Sequence, residues 1–94
     1  MPIVRIEHAV PAFDQWKQTF ERDPADRKGS GVRRYRILRQ VDEPNYVMVD
    51  LEFDSLAEAE AFLATMQQLW SGPGKAVMHN PRARIADVVE VADI

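Results

Sequence analysis

Tyr46-Val47-Met48-Val49-Asp50-Leu51-Glu52-Phe53 is the stretch that decides the fold. Val47, Val49, Leu51 and Phe53 fall on one side of an extended chain. Tyr46, Met48, Asp50 and Glu52 fall on the other. Strict alternation of this kind marks a strand with one buried and one open face. Just upstream, Asp42-Glu43-Pro44-Asn45 reads as a turn. Before it, Tyr35 and Ile37 alternate with Arg34, Arg36 and Leu38, so residues 32–40 read as another strand. The two strands and their short connection predict a hairpin.

The pattern continues outward from that hairpin. Gly29-Ser30-Gly31 reads as turn chemistry, and Asp23-Pro24 ends whatever helix precedes it, because the residue before proline avoids helical dihedrals. Phe13, Trp16, Lys17 and Phe20 recur every three or four residues, which predicts an amphipathic helix of about three turns. Ile3 to Val10 returns to a period of two. Val4, Ile6, His8 and Val10 share one face, Arg5 and Glu7 share the other, and Pro11 stops the strand. Downstream, Ser55-Leu56-Ala57-Glu58 is a capping box, in which the serine oxygen accepts from the Glu58 N–H and the glutamate reaches back to the Ser55 N–H. Leu56, Ala59, Phe62, Leu63, Met66, Leu69 and Trp70 then mark one helical face. Gly72-Pro73-Gly74 breaks it, Lys75–His79 is expected to add a turn before Asn80-Pro81, and Arg84–Val91 reads as the last strand. The order βαββαβ predicts an α+β fold: one antiparallel sheet with both helices on one face.

A chain of 94 residues supports one domain, residues 1–94, since a second core needs more chain. Its 46% hydrophobic and 29% charged content argues against disorder. Cysteine is absent, which excludes disulfides, thiolate metal sites and cysteine nucleophiles. A net charge of −3 and a pI near 5.3 argue against a nucleic-acid partner. The start of the chain lacks the layout of a signal peptide, and no apolar run is long enough to span a membrane, so a soluble cytoplasmic protein with no membrane partner is expected.

Charge is segregated along the hairpin. Arg27, Lys28, Arg33, Arg34, Arg36 and Arg39 come with no acid among them, and Asp42, Glu43, Asp50, Glu52, Asp54, Glu58 and Glu60 follow with no base. Antiparallel pairing sets opposite charges across from each other. A solvated ladder of ion pairs is the expectation; an anion site made by Arg34, Arg36 and Arg39 is the alternative, weakened because Asp50 and Glu52 compete for the same guanidinium groups. The open sheet face, carrying Arg5, Glu7, Arg34, Arg36, Tyr46, Met48, Asp50 and Glu52, suits water or a two-fold partner.

The βαββαβ order resembles the dimeric α+β barrel superfamily, to which antibiotic-biosynthesis monooxygenases belong. Three stretches are similar to small bacterial proteins of that group, cyclase-like ones included. They are His8-Ala9-Val10 followed by Phe13-Asp14-Gln15-Trp16-Lys17, then Asp42-Glu43-Pro44-Asn45 before an apolar strand, then Glu52-Phe53-Asp54 leading into residues 59–62. The resemblance implies a ferredoxin-like protomer and a homodimer formed through the sheet faces. It implies no single reaction, because the superfamily spans monooxygenases, haem-handling enzymes and isomerases. Haem-degrading members use an Asn near the end of strand one, a Trp in helix two and a His beyond it. Here those positions hold Glu7 or His8, then Phe62 with Trp70 two turns later, then His79 out of register, so the resemblance does not extend to haem degradation.

His8 is the residue that points to chemistry. It shares a face with Val4 and Ile6, near the strand's end, and imidazole exchanges protons near neutral pH. In the fold that the resemblance implies, Trp16, Tyr35, Phe62, Met66 and Trp70 are expected near it, with Trp16, Phe62, Met66 and Trp70 as ligand-binding residues and His8 as the polar group of an apolar pocket. Tyr35 is a second catalytic candidate, able to lend its phenol to a substrate oxygen. The competing reading makes His8 a core histidine satisfied by a backbone carbonyl, and the tryptophans plain packing. His8 and His79 are the only histidines and have no HxH or HxxxH spacing, so neither a metal nor another cofactor is expected. The function expected is a small-molecule enzyme of cofactor-independent monooxygenase or cyclase type acting on an apolar or aromatic substrate. The alternative is a non-catalytic ligand-binding or regulatory dimer using the same pocket.

Overall fold

A computed structural model describes residues 1–23, 26–72 and 79–94. Strand β1 (Pro2–Ala9) leads into helix α1 (Phe13–Glu21), strands β2 (Arg34–Gln40) and β3 (Glu43–Glu52), helix α2 (Leu56–Trp70) and strand β4 (His79–Asp87). The four strands form one antiparallel sheet in the order β2-β3-β1-β4. This is the α+β arrangement that the hydrophobic pattern predicts, and the ferredoxin-like protomer that the resemblance implies. Val4, Ile6 and His8 of β1 pair with Leu51, Val49 and Val47 of β3, and all six are buried on the helix-covered face. Because successive strand residues point to opposite faces, this single register commits every charged partner to the open side.

Both helix starts have a physical cause. Ser55 Oγ accepts from the Glu58 N–H at 3.2 Å, as the capping box predicts. The return arm differs: Glu58 Oε1 accepts from the Ser55 hydroxyl at 3.1 Å rather than from its N–H. Helix α1 starts after Ala12, whose side chain caps nothing. Asn45 of β3 does it instead, its Oδ1 accepting from the Phe13 N–H at 3.0 Å. Gly31 in the α1–β2 loop holds φ +97°, a conformation that favours glycine, and a Cβ there would run into the Glu58 carboxylate.

Two strand boundaries differ from the periodicity. The hairpin turn is Val41-Asp42, and β3 begins at Glu43 rather than Tyr46, with the register shifting between Arg39 and Gln40. Pro44 is tolerated because β1 pairing reaches only Tyr46, so no ladder bond from the proline position is needed. Strand β4 runs His79–Asp87, not Arg84–Val91. Its first residues replace the expected loop at His79, while positions 75–78 of the expected extra turn lie outside the described residues. Pro81 fits because β4 is an edge strand and its pairing with β1 shifts register between Glu7 and Ala9. At the other end Asp87 pairs with Pro2, and the Val88 N–H donates to the Met1 carbonyl at 3.2 Å. There β1 runs out, so the β-branched residues Val88, Val89 and Val91 have no neighbouring strand; Val89 and Val91 are exposed.

Candidate functional site

The core between helices and sheet holds an aromatic row. Trp16 is 1% exposed; its ring centroid lies 5.7 Å from that of His8, 5.9 Å from Phe13 and 5.2 Å from Phe20. Phe20 in turn meets Tyr35 edge-on at 5.2 Å. The spacing of Phe13, Trp16 and Phe20 along α1 produces this row, because residues three and four apart share a helical face. Beside it lies a cavity of about 50 Å³. Buried Ile6, His8, Trp16, Val49, Leu51 and Phe62 form its floor, and half-buried Thr19, Phe20, Arg27 and Met66 form its rim. Its surface is almost wholly apolar. That volume holds about two or three waters and no aromatic ring, so a ring-bearing ligand requires the rim to move.

His8 is buried at 1% exposure, on the face that the β1 alternation predicts. Its Nδ1 lies 3.4 Å from the Ala9 carbonyl oxygen, a long contact that the Nδ1–H tautomer makes as a donor. The Trp16 indole N–H is buried and meets no acceptor among the described residues. Burying a donor without an acceptor is costly, so a ligand oxygen reaching it is favoured. His8, Trp16, Phe62 and Met66 are thus brought together. Tyr35 and Trp70 are not. Tyr35 stands outside the cavity wall, 46% exposed, against Phe20 and Arg27. Trp70 packs against the core near the end of α2, its indole N–H likewise without an acceptor among the described residues.

Thr19, Phe20 and Arg27 are wall residues that the sequence reading missed. Thr19 and Phe20 had a signal, since they follow Trp16 by one helical turn. Arg27 had none, because a loop arginine looks like any solvated charge. The Arg27 guanidinium carbon sits 3.9 Å from the Phe20 ring centroid, and its Nη1 donates to the Phe20 carbonyl at 2.6 Å, occupying a C-terminal carbonyl of α1.

The open face is a ladder of ion pairs. Arg34 grips Glu52 through two bonds of 2.7 and 3.1 Å, and Arg36 reaches Asp50 at 3.0 Å, as the hairpin charges predict. Arg5 adds an unforeseen bidentate grip on Asp50 at 2.8 and 2.9 Å, because β3 lies between β2 and β1. The third arginine proposed for an anion site, Arg39, instead lies 4.4 Å over the Phe13 ring on the helix-covered side. Tyr46 donates its hydroxyl to Glu7 at 2.8 Å, which pushes its phenol above the ordinary range. The Arg5 hydrogen bonds, helped by Arg36 and opposed by burial, hold the Asp50 carboxyl below the usual carboxylate range. Arg34 does the same for Glu52.

A lowered carboxyl contributes stability above its unfolded pKa and loses it as pH falls through the folded value. Urea midpoints are therefore expected to fall from about pH 5 downward, where unfolded aspartate begins to take up protons. Asp50→Asn is expected to flatten that decline, and an unchanged slope in the variant would remove Asp50 as its source. At neutral pH, Asp50→Lys is expected to destabilise the chain, with Arg36→Glu in the same molecule restoring part of the loss. Strictly additive effects in that cycle would mean the pair does not couple.

No protein-family model matches the sequence, and no curated protein matches it either. Solved structures do. A Deinococcus radiodurans protein assigned as an antibiotic biosynthesis monooxygenase superposes with a TM-score of 0.72 at 14% identity, covering 100% of this chain and 98% of its own. SnoaB, a cofactor-independent oxygenase from Streptomyces nogalater, gives 0.74 at 15% identity over 96% of this chain and 93% of its own. A dimeric ferredoxin-like protein from an uncultured marine organism gives 0.66 at 11% identity over 99% and 98%. The chain has the ferredoxin-like α+β fold of the antibiotic biosynthesis monooxygenase-like proteins.

Proposed function

We propose that the chain is a small-molecule enzyme of the cofactor-independent monooxygenase or cyclase type, working in the cavity between the helices and the sheet. One observation carries this reading: an imidazole, His8, stands in the wall of a small and otherwise apolar cavity. A group so placed can take a proton from an acidic O–H or C–H of an apolar substrate while water is kept away. Trp16, Phe62 and Met66 shape the space, and the Trp16 N–H is the donor for a substrate oxygen. Met66 on the rim is unbranched and gives way easily. Tyr35, screened by Phe20 and Arg27, and Trp70, beyond the wall, take no direct part in this reading. The cofactor-independent oxygenase among the structural neighbours supports the reaction type. The reading includes a cytoplasmic location; among the described residues no helix is long and apolar enough to cross a membrane.

The test is incubation of the protein with a panel of phenols and polycyclic ketones, with and without dioxygen, read by mass spectrometry. A product with added oxygen, or a rearranged product of unchanged mass, supports the enzyme. One other reading uses the same cavity, a non-catalytic ligand-binding or regulatory dimer. Saturable binding without turnover would establish that reading in its place.

We further propose a homodimer through the open sheet faces. A groove of about 540 Å³ lies on that face, lined by Ile3, Val88 and Val91 alongside the ion pairs, and one structural neighbour is described as dimeric. So short a chain leaves much of its surface unburied when alone. Light scattering at micromolar concentration is expected to give twice 10.8 kDa. A monomer mass would overturn the assembly.

A further inference from the structure

The cavity beside His8 shares one wall with a basic groove outside it. The groove, of about 610 Å³, is lined by Arg27, Lys28, Arg33 and Arg34 against a single acid, Asp23. Arg33 and Arg34 are already held by Asp54 and Glu52, at 2.6 and 2.7 Å. Lys28 is exposed and makes no ion pair among the described residues. Arg27 belongs to both walls. Its guanidinium lies 3.9 Å from the Phe20 ring centroid and 5.2 Å from that of Tyr35. Among the described residues, Nη1 donates to the Phe20 carbonyl at 2.6 Å and lies 3.4 Å from Asp23 Oδ1.

We propose that Arg27 is a gate between groove and cavity, selecting an aromatic ligand that carries an anionic group. The ligand's ring takes the guanidinium's place on Phe20, and its anion is held by the displaced Arg27 together with Lys28. Two physical facts make the exchange feasible. A ring on Phe20 replaces a cation–π contact with an aromatic pair, and the freed arginine exchanges its bond to the Phe20 carbonyl for a charge-assisted bond to the ligand's anion. Arg27 lines both spaces, so moving it also joins the 50 Å³ cavity to the groove, which supplies the room a ring lacks at present. The inference rests on the cavity being a ligand site and is independent of any reaction there.

The test compares 2-naphthoate with its neutral counterpart 2-naphthalenemethanol on the full chain. Binding is followed through the Trp16 indole resonance, assigned with Trp70→Phe. The anion is expected to bind at least tenfold more tightly and to shift Trp16. In Arg27→Met, which keeps an apolar stem over Phe20, the two ligands are expected to bind within about twofold of each other. Arg27→Lys is expected to keep most of the preference. Equal affinities in the wild type, a preference that survives Arg27→Met, or a Trp16 resonance untouched at saturation would each overturn the gate. The wild-type comparison stands even if a variant fails to fold. Binding with this preference but no turnover of any substrate would sink the enzyme reading and leave the gate in place.

Discussion

His8→Ala is expected to abolish turnover, or to weaken ligand binding by about tenfold or more, while leaving the fold nearly intact. The imidazole lies at the wall of an existing cavity, so its loss enlarges a space rather than opening a new one in packed core. What it removes is the titratable group of the site. Val4→Ala is the matched control. Val4 lies on the same strand face, fully buried and away from the cavity wall. Its truncation is expected to cost about 1–3 kcal/mol of stability and leave the chemistry of folded molecules alone. Urea denaturation and turnover measured on both variants separate a site from a core. If His8→Ala costs as much stability as Val4→Ala and leaves affinity unchanged, His8 is a structural histidine.

Phe53→Ala is expected to be the most destabilising single truncation, at about 3–5 kcal/mol. Phe53 is fully buried and its ring centroid lies 5.3 Å from that of Phe62. It follows the last residue of β3, and its N–H donates to the Pro2 carbonyl at 3.0 Å, so backbone and side chain both tie the sheet to the start of α2. Its ring partner Phe62 is held by helix α2, and the buried cluster around them includes strand residues fixed by sheet register, so the gap is not readily filled. Phe53→Leu keeps most of the volume and is expected to cost less than half as much. Phe53 does not line the cavity, so ligand affinity of folded molecules is expected to survive. A loss below about 1 kcal/mol in urea denaturation would place Phe53 in an adaptable margin rather than the core.

The elements and the face of every central strand were legible in the residues. Alternation in β1 and β3 needs only local spacing, and it correctly directs Val4, Ile6, His8, Val47, Val49 and Leu51 inward. The capping serine of α2 and the facing of Arg34 and Arg36 by Asp50 and Glu52 were equally local, because a hairpin places its strands side by side, while the register settled which arginine meets which acid. The ends of β4 were not legible. β-branched propensity favours residues 88–91, but a strand needs a neighbour, and β1 ends at Pro2. The cap of α1 came from Asn45, some thirty residues away along the chain, which no local motif records.

For the site, the amino-acid order alone determined that His8 and Trp16 face the covered layer, because strand and helix periods dictate direction. Distance across the fold was decided only by tertiary packing. Tyr35 and Trp70 share the right faces with the cavity residues yet stand outside its wall, because Phe20 and Arg27 fill the space in front of Tyr35. Arg27 entered the wall for the opposite reason: a loop without periodicity carries it back over the end of α1, where a carbonyl and an aromatic face capture its charge. Periodicity tells which way a side chain points, whereas the size of the space it meets is set by residues that the chain brings from elsewhere.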